Sequence, residues 1–228
     1  MSFMKLLSEM VRKHNQLDKR VARLETLEFT SYVGGWVEIE TITVDTAATI
    51  GIITFSDIPQ IFLHLAVIIS ARCDNSTGAA IVRMTFNDDD GANYWYDKHW
   101  FYGDTGACVH RCIALFGTLE FANYIDIGDI PGIPFGVGAM YEDLFCSQNL
   151  WIPDYRCDEK KTSCHWDNEY VEAPGDEVGP FKYRQFGGGF WHDTDPITKI
   201  DFDIPGAGTY AQNSKISLYG IGGTFECY

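Results

Sequence analysis

The sequence predicts an all-β protein, an antiparallel β-sandwich of jelly-roll type preceded by a short N-terminal coiled-coil helix. Residues 1–28 contain neither Gly nor Pro and are rich in Leu, Lys, Arg and Glu. From residue 29 onward, short apolar runs with a period of two alternate with turn clusters. Apolar residues make up 46% of the 228 residues, which is enough to bury a full core. We therefore expect two domains, a helix for trimerisation and attachment at 1–28 and a β-sandwich head at 29–228.

The N-terminal helix has the apolar spacing of a coiled coil. Its core positions are separated alternately by four and three residues. The segment Arg20–Glu25 resembles the Arg-apolar-x-x-apolar-Glu signature of three-stranded coiled coils, which favours a homotrimer; Val at a with Leu at d also permits a dimer. A single amphipathic helix lying on the β domain is the alternative. The predicted trimerisation residues are Phe3, Leu7, Met10, His14, Leu17, Arg20, Val21, Leu24 and Glu25.

The strands of the β domain are predicted from alternation of apolar and polar side chains. Apolar side chains recur at every second position in four runs, 61–72, 82–86, 200–204 and 216–219. Many short strands without a second long helix are typical of a sandwich or jelly roll. Residues 140–190 are the least regular stretch, and we expect them to form long loops on one side of the domain.

The charge of the chain restricts its partners. The sequence has 17 Lys and Arg against 32 Asp and Glu, a formal net charge of −15. Such a chain repels phosphate backbones and anionic lipid, so we expect no nucleic-acid partner. No apolar run is long enough to span a bilayer, and the N-terminus lacks the apolar core of a signal peptide. We therefore expect no membrane insertion, and a chain that stays in the compartment where it is made.

Aromatic side chains are the candidate ligand-binding residues. Exposed aromatic rings beside Asp and Asn suit sugars, because the ring stacks on C–H faces while carboxylates accept hydroxyl protons. The alternative is that these aromatics are ordinary core residues of strands. The candidates are Trp95, Trp100, Trp151, Tyr155, Trp166 and Tyr170.

The cysteines and acidic residues give weaker signals. Cys157 and Cys164 bracket a polar loop and are the best candidate pair for a disulfide, with buried thiols as the alternative. Neither they nor the Cys108–Cys112 pair has the spacing of a zinc finger. The Asp88–Asp90 run could hold Ca²⁺, but a solvated turn explains it better. The sequence contains no motif of a catalytic nucleophile, phosphate loop or metalloprotease, so we expect no metal, no cofactor and no enzymatic activity.

Several short motifs, in order along 40–221, resemble a β-rich domain of tailed-bacteriophage tail-fibre and virion structural proteins. The motifs are Phe55–Gln60, Phe86–Asn87, Gly91–Tyr94, Trp151–Tyr155, Gly187–Trp191 and Ser217–Ile221. The resemblance implies a homotrimeric fibre or spike, assembled in the host cytoplasm, whose β head projects from the virion and contacts the host surface. Its implied partners are other tail or capsid proteins and a host cell-surface glycan. The alternatives are a capsid decoration or head fibre that stabilises the particle and, less favoured, a glycan-degrading enzyme.

Overall fold

A computed structural model describes residues 35–45, 50–74, 78–104, 107–113, 122–132, 144–172, 181–206 and 208–222, with the backbone alone at 102–104, 107–113, 172 and 181. The chain divides into two units between Gly35 and Trp36. The coiled coil expected at 1–28, with all of its trimerisation residues, lies outside the described residues. The helix, the trimer and the domain boundary at residue 28 therefore stay predictions, and the described fold is that of the unit beginning at Trp36.

Within these ranges the chain forms twelve β-strands and no helix. In chain order they are β1 (Trp36–Thr43), β2 (Ile52–Phe55), β3 (His64–Ser70), β4 (Ala80–Phe86), β5 (Tyr94–Asp104), β6 (Ala107–Ile113), β7 (Ile125–Ile130), β8 (Ser147–Ile152), β9 (Thr162–Glu172), β10 (Phe181–Trp191), β11 (Ile200–Asp203) and β12 (Lys215–Ile221). Strands β3, β4, β11 and β12 lie in the four runs whose alternation predicted strands.

The strands form two antiparallel sheets. The larger has eight strands in the order β1-β12-β3-β8-β9-β10-β5-β6, and the smaller has four in the order β2-β11-β4-β7. Every pair of neighbouring strands is antiparallel. The prediction of an all-β, antiparallel fold is confirmed for the described part of the chain.

The expectation of long loops at 140–190 is wrong for the residues described there. Strands β8, β9 and β10 lie next to one another in the larger sheet. Strand β10 pairs with β9 along its whole length, from Phe181 to Trp191. The interior positions of these strands include Gln148, Asn168 and Gln185, which are fully buried or nearly so. Polar residues at interior positions hide the apolar alternation by which a strand is recognised in a sequence.

Buried aromatic side chains join the two sheets. The ring of Phe86, from the smaller sheet, lies 5.6 Å from the ring of Trp191 and 6.2 Å from that of Tyr94, both from the larger sheet. The Tyr94 hydroxyl accepts a hydrogen bond from the backbone N–H of Phe86 at 2.9 Å. All three side chains are buried. These contacts fix one face of the larger sheet as the interior and leave the other face outward.

A row of polar side chains on the larger sheet forms hydrogen bonds with the backbone of strand β7. Gln148, Asn168 and Gln185 lie directly opposite one another on β8, β9 and β10. The Gln148 side chain donates to the carbonyl of Ile127, and the Asn168 side chain donates to the carbonyl of Asp129 at 2.6 Å. Asp129 N–H donates to Gln185 Oε1 at 2.7 Å. The backbone of β7 therefore bonds to side chains of the larger sheet as well as to β4.

Beside this row lies a buried ion cluster. Lys98 Nζ, on β5, is 2.8 Å from Asp126 Oδ2 and 3.3 Å from Asp129 Oδ1, both on β7. Burial disfavours the ammonium, but the two carboxylates outweigh it and raise the pKa of Lys98. Burial also raises the pKa of Asp126, and Lys98 opposes that shift. The cluster links β5 of the larger sheet to β7 of the smaller sheet. Either the ammonium or the carboxylates, buried without the other, would lower the stability of the fold.

The predicted disulfide between Cys157 and Cys164 is wrong. Both are buried thiols, as are Cys73 and Cys146. Cys164 occupies a buried position of β9 opposite Gly189, and each thiol packs as a small apolar side chain. Burial raises the pKa of Cys146 and of Cys164 to about 12, so both thiols are protonated and unreactive at neutral pH.

Candidate functional site

The outward face of the larger sheet carries an open groove of about 270 Å³. It lies over strands β3, β8 and β9, with one wall supplied by the edge strand β1. Its volume is just below the range of about 300–1,000 Å³ that small-molecule pockets span. Among the side chains that line it are Trp36, Ala66, Asn149, Trp151, His165 and Asp167.

The groove exists because a small residue lies between large ones. Ala66 is paired on one side with Trp151 and on the other with Tyr219, so two rings rise beside a single methyl group. Trp36 lies with its ring 5.8 Å from that of Tyr219 and is 52% exposed. Because successive side chains of a strand point to opposite faces, the next residue on β3, Val67, is a buried core residue. The same strand thus supplies both the core and the floor of the groove.

Trp151 is held in place by a neutral histidine. The ring centroids of His64 and Trp151 are 5.1 Å apart, and His64 Nδ1 accepts a hydrogen bond from the backbone N–H of Asp154 at 3.1 Å. Burial lowers the pKa of His64, although the Asp154 carboxylate opposes the shift. An imidazole that accepts through Nδ1 and resists protonation keeps one orientation near neutral pH. Trp151 therefore presents a positioned aromatic surface to the groove.

The polar rim of the groove is charge-compensated. Arg184 donates to both oxygens of Asp167, with Nη2 at 2.6 Å and Nε at 3.3 Å. Next to this pair, Lys182 Nζ lies 3.0 Å from Glu169 Oε2. Both pairs are largely exposed, so their contribution to stability is small. In the groove, Arg184 orders the Asp167 carboxylate and balances its negative charge.

The structure divides the six predicted aromatic candidates into two groups. Trp151 lines the groove, and Trp95 and Trp100 are partly exposed on opposite faces of β5. The other three are core side chains, with exposures of 0% for Tyr155, 3% for Trp166 and 5% for Tyr170. Little of these three rings is left for a ligand to contact, so burial favours the alternative interpretation, that of ordinary core aromatics, for them.

Each buried candidate has a structural partner or role. The Tyr155 hydroxyl donates to the carbonyl of Pro59. Tyr170 stacks on Tyr183 with ring centroids 4.9 Å apart and an interplanar angle of 8°. Trp166 borders the groove but lies against Gly187, on the interior side of the sheet. These contacts account for the three residues as structural side chains, Tyr170 and Trp166 within the larger sheet and Tyr155 between two connecting segments.

Of the nine described residues that line the groove, sequence reasoning named Trp151 and Trp166 and missed seven. The seven are Trp36, Ala66, Val67, Asn149, Leu150, His165 and Asp167. In the sequence at 162–170, Cys164, Trp166 and Tyr170 alternate with polar residues, a partial signal that Asn168 interrupts. Reading that alternation would have placed His165 and Asp167 together on the outward face.

The acidic turn after β4, considered above as a calcium site, is a tight corner. Asn87 and Asp88 have φ values of 52° and 61°, as in a type I′ turn, and Asp88 pairs with Lys199. The Asp89 carboxylate accepts hydrogen bonds from Trp191 Nε1 at 2.7 Å and from the Asn93 side chain. Burial opposes ionisation of Asp89, but these bonds outweigh it and lower its pKa. Contacts within the protein thus account for the two carboxylates.

The geometry defines an all-β protein whose larger antiparallel sheet carries an open, aromatic-lined groove. Comparison with protein-family models, with curated proteins and with solved structures found no match to this chain. In the described ranges, no group of three or more His, Cys, Asp or Glu side chains is arranged to hold a metal ion. Among the same residues, no helix has the length and apolar character needed to cross a membrane. The similarity to phage tail-fibre domains stays a prediction from short motifs.

Proposed function

We propose that this chain is a virion structural protein of a tailed phage, a trimeric fibre or spike whose β head contacts the host surface. In this proposal the head is a β-sandwich of jelly-roll type, and the N-terminal coiled coil joins three heads and docks them to other virion proteins. The short motifs and the heptad spacing support the virion assignment. The groove on the outward sheet face is the observation that carries the recognition role.

The chemistry of the groove suits a neutral saccharide. Trp36 and Trp151 offer aromatic surfaces for the C–H faces of sugar rings. Asn149 and His165 supply polar atoms beside Trp151, and both side chains are exposed. The net charge of −15 opposes anionic polymers, whereas hydroxyl groups can donate to its many carboxylates. A host cell-surface glycan without acidic groups is therefore the ligand class that fits best.

We propose binding without hydrolysis. Glycosidases of the two-carboxylate type need one acid that stays protonated and a second carboxylate on the other side of the scissile bond. In the described part of the chain, Asp167 is the one carboxylate that lines the groove, and both of its oxygens accept hydrogen bonds from Arg184. One carboxylate that is held by an arginine does not supply the two acidic groups that this chemistry needs. This arrangement supports recognition of a saccharide, because the groove residues that the structure describes offer no second carboxylate to act as the acid in hydrolysis.

The proposal is tested by removing the ring that the structure positions best. Trp151→Ala should weaken adsorption of the full-length protein to host cells, or to their purified neutral polysaccharide, by about threefold to tenfold, the loss of one ring-stacking contact. Ile52→Ala is the matched control, because it removes a 57%-exposed apolar side chain from the smaller sheet. Unchanged adsorption by a folded Trp151→Ala protein would refute the recognition role and favour capsid decoration. Release of oligosaccharide would instead establish an enzyme.

A further inference from the structure

A continuous row of outward positions crosses five strands of the larger sheet. Ala66 on β3 is opposite Trp151 on β8, and Trp151 is opposite His165 on β9. His165 is opposite Gly188 on β10, and Gly188 is opposite Asp97 on β5. The groove described above occupies only the Ala66 end of this row. The other end contains a second residue with little or no side chain.

Gly188 has no side chain and so leaves a gap in this row, the second depression. Along β10 it lies between Phe186 and Phe190, which are 38% and 52% exposed. A strand rises about 3.3 Å per residue, so each Phe is about 7 Å from the glycine. Across the strands, a Cβ at Gly188 would lie 3.4 Å from Asp97 Oδ1 and 3.4 Å from His165 Nδ1. The depression therefore has aromatic walls along the strand and polar walls across it.

The walls of this second depression are ordered. Phe186 stacks on His99 and on Phe101, with ring centroids 5.3 Å and 5.6 Å apart. Asp97 Oδ1 accepts the backbone N–H of Gly188 at 3.0 Å, and its other oxygen lies 3.1 Å from His99 Nε2. Groups held in one orientation before a ligand arrives lose less conformational entropy on binding. The depression is thus a prepared surface of aromatic rings and a hydrogen-bond acceptor.

The two depressions are too far apart for one sugar ring. Ala66 and Gly188 are separated by three strand spacings of about 4.8 Å, which is about 14 Å. His165 lies between them and borders both. Building on the proposed function, we propose that the outward face binds an internal stretch of a linear, neutral polysaccharide, which runs across the strands from the Trp36–Trp151 groove to the Gly188 depression. The protein then recognises the repeating chain and not a terminal sugar.

Charge and shape both favour this ligand over a polyanion or an apolar partner. Asp97 is the one charged side chain in the five-residue row and is 53% exposed. A carboxylate at this place accepts hydroxyl protons but repels phosphate, sulfate and uronate groups. Both depressions combine aromatic rings with polar groups, as amphipathic sugars require. An apolar protein partner would instead remove the Asp97 carboxylate and the His165 ring from water without adding hydrogen bonds to them.

The test measures affinity against chain length. Full-length protein is exposed to an array of neutral oligosaccharides of glucose, galactose, mannose and N-acetylglucosamine, each graded in length. We expect affinity to rise by about tenfold between short chains and chains that span both depressions. Gly188→Leu should remove that gain, because the new side chain fills the second depression. Ser70→Leu is the control, since it adds the same side chain to the same face outside the row.

The outcomes separate this inference from the proposed function. Length-independent binding, or Gly188→Leu binding that matches the Ser70→Leu control, overturns the extended mode and leaves saccharide recognition standing. Trp151→Ala should weaken chains of every length, because all of them use the first groove. Absence of binding to the whole array by the unaltered protein refutes both proposals. Melting temperatures of the two Leu variants check that the fold is intact.

Discussion

Replacing Lys98 with Met tests the ion cluster between the two sheets. The Lys98 side chain is only 11% exposed, and those of Asp126 and Asp129 are 8% and 18% exposed. Met keeps the apolar stem and removes the ammonium, so packing is nearly conserved while two buried carboxylates lose their cation. Removing one partner of a buried ion pair costs about 3–5 kcal/mol, because the remaining charge is left uncompensated. We expect Lys98→Met to lose about that much unfolding free energy near pH 7.

The loss should depend on pH with a definite sign. Burial raises the pKa of Asp126 from its ordinary value of 3.8, and Lys98 opposes the shift, so the variant raises it further. A carboxyl whose pKa is higher in the folded state binds a proton there that the unfolded chain has already released. Stability then falls as the pH rises from the unfolded value through the folded one. The variant should therefore lose less free energy at pH 4 than at pH 7.

The measurement is urea denaturation at both pH values. Lys182→Met is the matched control, because it removes the same charge from an ion pair with Glu169 that is exposed on both sides. That control should change stability by less than about 1 kcal/mol. A Lys98→Met loss as small as the control's, or a loss that is equal at pH 4 and pH 7, would refute the role assigned to the cluster.

Three further outcomes are expected. Gly187→Ala should cost about 1–3 kcal/mol in thermal unfolding, since its Cβ would lie 2.1 Å from a backbone oxygen, whereas Gly188→Ala should be nearly neutral. In native protein, mass spectrometry should find Cys146 and Cys164 unlabelled by a maleimide until urea is added. Light scattering should give the mass of three chains for the full-length protein, and Leu17→Asp should abolish it, whereas a monomeric full-length chain would rule out the predicted coiled coil.

The sequence revealed those strands whose interior positions are apolar. In β4, Val82, Met84 and Phe86 are buried and alternate with less buried residues, which is the pattern that periodicity detects. Strand β9 failed that test because Asn168 occupies an interior position, and β10 failed because Gln185 does. Hydropathy cannot distinguish a buried amide that bonds a neighbouring strand from an exposed one. The error at 140–190 therefore arose from the polar row that supports β7.

The candidate binding face could be predicted from the sequence only in its residue types, and not in its position. The aromatic side chains identified Trp151 as a candidate. The strand pattern of β9 could also have shown that His165 points to the outward face of its strand. The assembly of the groove also needs Trp36 and Ala66, which come from strands far away in the sequence. Strand order and register decide which residues become neighbours, and loop lengths do not specify them. Small residues such as Gly188 carry no chemical signal at all, because their contribution is the space they leave.

Two consecutive residues of β9 test the proposed division between recognition and packing. His165 is exposed on the outward face, while Trp166 is 3% exposed and lies under Gly187 on the interior face. His165→Ala should weaken saccharide binding with a change in stability of less than about 0.5 kcal/mol. Trp166→Ala should cost about 3–5 kcal/mol by urea denaturation, because a large buried ring leaves a cavity. If instead Trp166→Ala weakened binding at unchanged stability, its ring would be a ligand contact, and the assignment of the two faces of β9 would be wrong.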